Sequence, residues 1–368
     1  MFGRMLLIAM CCLCFACRRG PRELTVSADD PSLRYTGWFD HRDPKAVRFA
    51  WPGTQVELAF VGSGLRVQLT DTPIEDETRE TDWLTLIVDG GPPRTLALSE
   101  GRRVYELAKG LPPGPHRALL WKRSEAEVGV VTLHAFVVEG APEASTRPPV
   151  ARTRRLVFLG DSITAGYGNE GESESCHWSA GTENNYESYG AHAARELLAD
   201  YLAAAWSGKG LTRNYDTREA LTLPKLWTRA IPTEGGASHV DDGKADVVVV
   251  NLGTNDFIQG LPEEREFVST YRSLLAALHA RYAHAALVLA LGPMLADDHP
   301  QPMARTLARN WIAKVLAGAR ESGVTHVSSI EFWSDPNEGL GCDYHPNKKT
   351  HARMGRELAT HIRLQLGW

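Results

Sequence analysis

Ser162 stands behind a Gly160-Asp161 turn at the end of the apolar run Leu156-Val157-Phe158-Leu159. A serine displayed there has a held backbone and a free hydroxyl, which suits it to act as a nucleophile. The segment is not the G-x-S-x-G elbow, because Thr164 stands where the second glycine belongs. Alone, the tripeptide reads equally as a strand-to-helix turn in which Ser162 caps the helix. Three further segments bear on the choice. Trp206-Ser207-Gly208-Lys209-Gly210 follows the apolar run 201–205, and its glycines let a backbone amide turn toward a ligand. Asn251-Leu252-Gly253-Thr254-Asn255-Asp256 follows the run 247–250 and offers the side-chain amide of Asn255. Cys342-Asp343-Tyr344-His345-Pro346-Asn347 precedes an amphipathic terminal helix. It offers His345 as a general base and Asp343 as the group that orients it.

These are the parts that acyl transfer needs. Ser162 attacks an acyl carbon, and His345 takes its proton and later returns it to the leaving alcohol. The amides of Ser162 and Gly208, with the Asn255 side chain, hold the oxyanion, each donor contributing about 3–4 kcal/mol. Each segment also has a plainer reading: turn glycines, helix caps or a helix start. All four in chain order, each at a strand end or helix start, favour the catalytic reading.

The four segments resemble the four blocks of the SGNH (GDSL-like) hydrolases, with Ser162, Gly208, Asn255 and His345 at the named positions. The resemblance extends to carbohydrate esterase family two, the two-domain acetylxylan esterases. It is carried by the stretch from Gly160 to Gly171, by Glu183-Asn184-Asn185-Tyr186, Arg213-Asn214-Tyr215 and Gly253-Thr254-Asn255-Asp256-Phe257, and by Tyr35-Thr36-Gly37-Trp38-Phe39-Asp40 nearer the start. It covers nearly the whole chain after residue 30. It implies an α/β fold: an SGNH three-layer α/β/α domain with a parallel sheet, preceded by a jelly-roll-like β-sandwich. It implies a serine esterase that removes O-acetyl groups from polysaccharide, with an acetylated polysaccharide or oligosaccharide as partner and neither cofactor nor metal. One spacing departs from most SGNH enzymes, which place two residues between the acid and the histidine. Here Asp343 and His345 have one between them. The shorter spacing resembles this esterase family, where a main-chain carbonyl can steer the histidine. Asp343 thus orients His345 by side chain or by carbonyl. Two other functions stay open: a deacetylase of envelope glycan or small esters, and a non-catalytic carbohydrate-binding lipoprotein. The intact Ser162 and His345 argue against the last. Trp178, Trp227, Phe257 and Trp333 lie near the motif segments and are candidate platforms for a sugar ring, with core packing as the alternative for each.

The elements that must position these residues differ between the halves. Residues 31–140 carry short apolar alternations at 56–60, 65–69, 83–88, 104–107, 116–121 and 131–138. Gly- and Pro-rich turns at 62–64, 89–93 and 110–115 separate them. That is a β-sandwich, whose Trp38, Trp51, Trp83 and Trp121 are expected in its core. Residues 141–150, rich in Pro, Ser and Thr, read as a linker. In 151–368, strands at 156–159, 246–252, 286–291 and 325–329 alternate with helices near 186–198, 263–282, 304–321 and 348–366, as in a parallel sheet flanked by helices. Ligands of such sheets sit beyond the carboxyl ends of the strands, where Ser162, Gly208 and Asn255 fall.

A chain of 368 residues favours two domains, and 43% apolar residues supply both cores. A net charge of −5 with both signs dispersed gives no basic stripe for nucleic acid. The first 17 residues read as a signal: Arg4, then a short apolar stretch, then Ala16-Cys17. That ending resembles a bacterial lipobox, which predicts lipidation of Cys17, residues 18–30 as a tether, and an exported lipoprotein of the cell envelope (periplasm or cell surface) held to the membrane only by its lipid; plain signal cleavage nearby, with secretion, is the alternative. Cys11, Cys12 and Cys14 leave with the signal. Cys176, in the loop after the Ser162 block, and Cys342, three residues before His345, remain. Their segments must converge if Ser162 and His345 meet, so in an exported protein the two should form a disulfide. They lack the paired spacing of a zinc site.

Overall fold

The computed structural model describes residues 23–74, 80–141, 146–235 and 243–368. The signal and Cys17 lie outside the described residues. The first half is strand after strand. In chain order these are β1 (Glu23–Ser27), β2 (Leu33–Thr36), β3 (Val47–Phe49), β4 (Gln55–Val61), β5 (Gly64–Pro73), β6 (Trp83–Val88), β7 (Arg94–Ala97), β8 (Gly101–Lys109), β9 (Pro115–Lys122), β10 (Gly129–Glu139) and β11 (Thr146–Arg147). They make two antiparallel sheets. One runs β1-β10-β5-β8 with β3 also on β10, the other β11-β4-β9-β6-β7 with β2 also on β4. Leu58, Phe60, Leu65, Val67, Leu133 and Phe136 are among the side chains sealed between them.

Two boundaries differ from the sequence reading. Glu23–Ser27 is no tether: it alternates, buries Val26, and pairs residue for residue with the long β10. Thr146–Arg147, within the expected linker, pairs with Ala59 and Phe60 at the edge of β4. Both segments are too short or too polar to announce themselves; the partner strand's unpaired edge selects them.

The second half alternates as expected. β12 (Arg154–Gly160), α1 (Ser162–Ala165), α2 (Tyr189–Glu196), β13 (Ala199–Ala205), β14 (Val247–Asn251), α3 (Glu264–Arg281), β15 (Ala286–Leu291), α4 (Ala304–Glu321), β16 (Val327–Glu331) and α5 (Lys348–Leu366) follow in order. The five strands are parallel in the order β13-β12-β14-β15-β16. Their side chains alternate between two cores. Val157, Leu159, Val248 and Val250 face α3 and α4, whereas Leu156, Phe158, Val247 and Val249 face α2 and α5. This is a three-layer α/β/α domain. The chain leaves β12 for β13 on one side and then crosses to β14 on the other. β12 therefore marks the switch point, where a crevice opens beyond the strand ends. Gly160, Ala205 and Asn251 lie side by side in register there.

The two halves share a core. Trp38, Ala50, Trp51, Ala126 and Val130 of the sandwich join the apolar cluster of Leu202, Leu211, Leu226 and Trp227. Trp51 Nε1 donates to the Arg229 carbonyl at 2.8 Å, and Gln55 Nε2 to that of Tyr201 at 2.9 Å. Trp121 stacks on Tyr201 with ring centres 5.2 Å apart. Trp38, Trp51 and Trp121 are buried as expected, but against the second domain, whereas Trp83 is only half-buried. Among the described residues no helix is long and apolar enough to cross a membrane.

Candidate active site

Asp161 caps α1, its side chain accepting the Ile163 N–H at 3.0 Å, so Ser162 opens a short helix directly beyond β12. On the far side of the crevice, Asn347 caps α5 by accepting the Lys349 and Thr350 N–H groups. That cap starts the helix two residues after His345, and so fixes where the imidazole leaves the loop. The Ser162 hydroxyl and His345 Nε2 lie 2.9 Å apart. His345 Nδ1 lies 3.0 Å from the main-chain oxygen of Asp343. A carbonyl only accepts, so Nδ1 carries the proton and Nε2 presents a lone pair to Ser162. Burial pushes the His345 pKa down to about 4, although the Asp343 carbonyl and charge pull it back up. The imidazole is therefore a neutral base at neutral pH.

The Asp343 side chain points elsewhere. It accepts the Tyr167 hydroxyl at 3.0 Å and the Trp178 N–H at 2.9 Å, and pairs with His177 at 3.1 Å. Burial raises its pKa, but these donors outweigh that and hold it below the ordinary value. Asp343 and Tyr344 both have left-handed backbones, with φ of 51° and 63°. That costly pair of conformations turns the Asp343 carbonyl back toward the imidazole. Of the two orienters open in the sequence, geometry places the carbonyl at the ring and the carboxylate on Tyr167, His177 and Trp178.

The residues expected on the oxyanion side lie in the loops after β13 and β14. Gly208 has φ of 75°, which L side chains seldom adopt. A Cβ on Gly210 would stand 1.9 Å from the Arg213 carbonyl oxygen, so the return of that loop needs glycine. Asn255 Nδ2 donates to the Lys209 carbonyl at 2.9 Å, which orients the amide and leaves its second N–H for the crevice. Asp256 is buried and holds the loop from beneath, accepting from Leu211 N at 2.8 Å and from Thr212 N at 2.7 Å. Ser162, Gly208, Asn255 and His345 all line one cavity of about 530 Å³. Cys176 and Cys342 form a disulfide between the loop after α1 and the His345 loop. Among the described residues, no three His, Cys, Asp or Glu side chains converge as metal ligands.

Comparison with known proteins now bears on the site. Residues 35–148 match the family described as Carbohydrate esterase 2 N-terminal, and residues 158–353 match the GDSL-like Lipase/Acylhydrolase family. The fold is similar to that of a family two carbohydrate esterase from Clostridium thermocellum solved with cellohexaose, at TM-score 0.84 and 33% identity over 91% of this chain and 99% of that one. The chain belongs to the family two carbohydrate esterases. A Cellvibrio japonicus member aligns at TM-score 0.82 and 26% identity, covering 95% and 99% of the two chains. Among curated proteins, cellulase/esterase CelE of Acetivibrio thermocellus is 33% identical over 345 residues. That match takes in 94% of this chain but only 41% of that longer protein. An acetylxylan esterase / glucomannan deacetylase of Cellvibrio japonicus is 27% identical, over 94% of this chain and 92% of its own.

Within this esterase the four candidate aromatics separate. Phe257 is fully buried, stacked on Trp311 at 5.6 Å and edge-on to Phe267, so it is core and offers no face to a sugar. Trp227 is likewise enclosed in the core shared by the two halves. Their apolar neighbours come from distant helices, which local sequence does not display. Trp333 is exposed but covered on one face by the Arg305 guanidinium at 3.5 Å, and does not line the site cavity. Trp178 stands nearer: it stacks on Tyr167 at 5.8 Å and lines an adjoining hollow of about 650 Å³. Sequence reasoning missed Tyr167, whose ring lies 4.2 Å from that of His345. Its signal was available, five residues past Ser162 within Gly166-Tyr167-Gly168. It also missed Tyr215 and the sandwich residue Glu127, both on the cavity wall. No local feature of residue 127 announces that contact.

Proposed function

We propose that this esterase removes O-acetyl groups from a polysaccharide of the acetylated xylan or glucomannan type through an acyl-enzyme on Ser162. The observation that carries the reading is the Ser162 hydroxyl on the lone pair of a carbonyl-oriented His345. Ser162 Oγ attacks the acetyl carbon while His345 Nε2 takes its proton. The Gly208 and Ser162 amides and the free Asn255 N–H receive the oxyanion. Collapse expels the sugar oxygen, which takes the proton from His345. Water, deprotonated by the same imidazole, then releases acetate. The site cavity shares Glu127 and Glu219 with the hollow beside Trp178, and Met294 and Asp343 with a third of about 800 Å³ beside Tyr344. A run of connected hollows suits a chain substrate better than an isolated small ester.

Acetate release from acetylated xylan, acetylated glucomannan, acetylated peptidoglycan and an aryl acetate, each with wild type and Ser162→Ala, tests this. Loss of turnover on every substrate in the variant and a preference for the plant-type glycans are expected. Turnover by Ser162→Ala sinks the mechanism, and a preference for peptidoglycan sinks the substrate class. We also propose that the esterase is exported and anchored through a lipid on Cys17. The support is the charged start, the apolar stretch and the Ala16-Cys17 pair. Mass spectrometry of membrane-extracted protein should find a diacylglyceryl-modified Cys17, and an unmodified mature start elsewhere would refute it.

A further inference from the structure

One buried acid near the site has no part in the mechanism above. Glu125 belongs to the sandwich, in the segment between β9 and β10, yet its carboxyl reaches the oxyanion loop. The Ser207 N–H donates to Glu125 Oε2 and the Ser207 hydroxyl to Oε1, both at 2.5 Å. Glu125 has no exposed surface. Its own backbone is held in turn. Lys122, also fully buried, donates through Nζ to the Ser124 carbonyl at 2.9 Å and the Glu125 carbonyl at 3.0 Å, and pairs with Asp82 at 2.6 Å. Two residues on, Glu127 accepts Trp206 Nε1 at 2.9 Å.

What Glu125 grips decides what it does. The N–H of Gly208 lies in the peptide plane that joins it to Ser207, and the aim of that plane follows from the Ser207 and Gly208 torsions. Gly208 has no side chain to hold it. Ser207 is held at its main-chain nitrogen and at its side chain, both by one carboxyl group. An oxyanion donor works only if fixed before charge develops, and misplacement by about 1 Å costs on the order of 100-fold.

We propose that Glu125 is a positioning residue for the oxyanion hole, supplied to the hydrolase domain by the β-sandwich. The inference rests on the reading of Gly208 as an oxyanion donor. Burial, with the Glu183 and Glu127 carboxylates near, pushes the Glu125 pKa well above the ordinary value. Glutamine has the length and planar shape of that carboxyl group without its charge. A glutamine carbonyl accepts the Ser207 N–H, and its NH2 donates to the Ser207 hydroxyl, which accepts as readily as it donates.

The test uses the full chain as wild type, Glu125→Ala, Glu125→Asp, Glu125→Gln and Ser162→Ala. An aryl acetate gives kcat and KM. A small alkylboronic acid, which forms a tetrahedral adduct on Ser162, reports on the oxyanion hole, and thermal unfolding reports on folding. Glu125→Ala is expected to lower kcat about 10–100-fold with KM within about twofold, and to weaken the boronic acid by the same factor. Acetate, a ground-state ligand, should bind as before. Glu125→Asp retracts the carboxyl by one methylene and should lose kcat while remaining folded at the assay temperature, which keeps the test alive if the alanine variant does not fold. Glu125→Gln should recover most of the loss. A folded alanine or aspartate variant with wild-type kcat, or one that moves only KM, overturns the inference. Turnover by Ser162→Ala instead overturns the nucleophile reading beneath it, whatever Glu125 does.

Discussion

At the scale of the residue, the orienter of His345 is a main-chain oxygen, and two predictions follow from that. Asp343→Asn keeps the carbonyl and the backbone, so kcat should fall by less than about 10-fold. Loss of an orienting carboxylate in a Ser-His-Asp triad costs about 10⁴. His345→Ala should remove nearly all turnover. Steady-state kinetics of both variants check the pair, and a collapse of Asp343→Asn to the level of His345→Ala would return the role to the side chain. The second prediction concerns pH. Only the neutral imidazole accepts the Ser162 proton, and burial has lowered its pKa from 6.5 to about 4. Activity should therefore be flat through neutral pH and be lost as pH falls through about 4. A kcat/KM profile bending at the ordinary histidine value of 6.5 would contradict this. The four candidate residues were legible because each sits in a short motif at a strand end or a helix start. The choice between the Asp343 carbonyl and carboxylate was not, because it turns on two left-handed residues that no residue type dictates. Nor was the burial of Phe257 and Trp227, which depends on helices far away in the chain.

At the scale of the element, long amphipathic helices and fully buried strands carried their own signal. α4 and α5 occupy the expected 304–321 and 348–366, and β15 the expected 286–291. Short edge strands did not, since β1 and β11 exist through their partners. The loops hold the site, and the Cys176–Cys342 bond ties two of them together. Cys342 N donates to the Gly168 carbonyl and Asp343 N to the Cys176 carbonyl, both at 3.0 Å, so the bridge and its hydrogen bonds carry the Asp343 carbonyl to its place. Reduction should lower kcat as well as melting temperature, with a stability loss of up to about 5 kcal/mol in the chain-entropy account. Assays with and without reductant at a temperature where both forms stay folded check this; a lower melting temperature with unchanged kcat would limit the bond to stability. Gly171 packs against both sulfurs, where a Cβ would stand 2.4 Å from Cys342 Sγ and 2.5 Å from Cys176 Sγ. Gly171→Ala should therefore mimic reduction in part.

At the scale of the whole molecule, the sandwich and the hydrolase domain share one apolar core. Trp51 is fully buried between them, and Arg34 of the sandwich meets Asp200 of the hydrolase at 2.5 Å. Calorimetry should show a single unfolding transition, and Trp51→Ala should cost about 3–5 kcal/mol. Two well-separated transitions would mean that the halves fold independently. The sequence marked two domains by their different periodicities, but it did not show that the sandwich tryptophans face outward into the neighbour. The shared core has a consequence for descent. A gene segment encoding the hydrolase alone would deliver a protein with an open apolar face and an unheld oxyanion loop. The pair is therefore expected to be inherited as a unit. The alignment with CelE fits that rule: both halves occur together, within 41% of a longer protein.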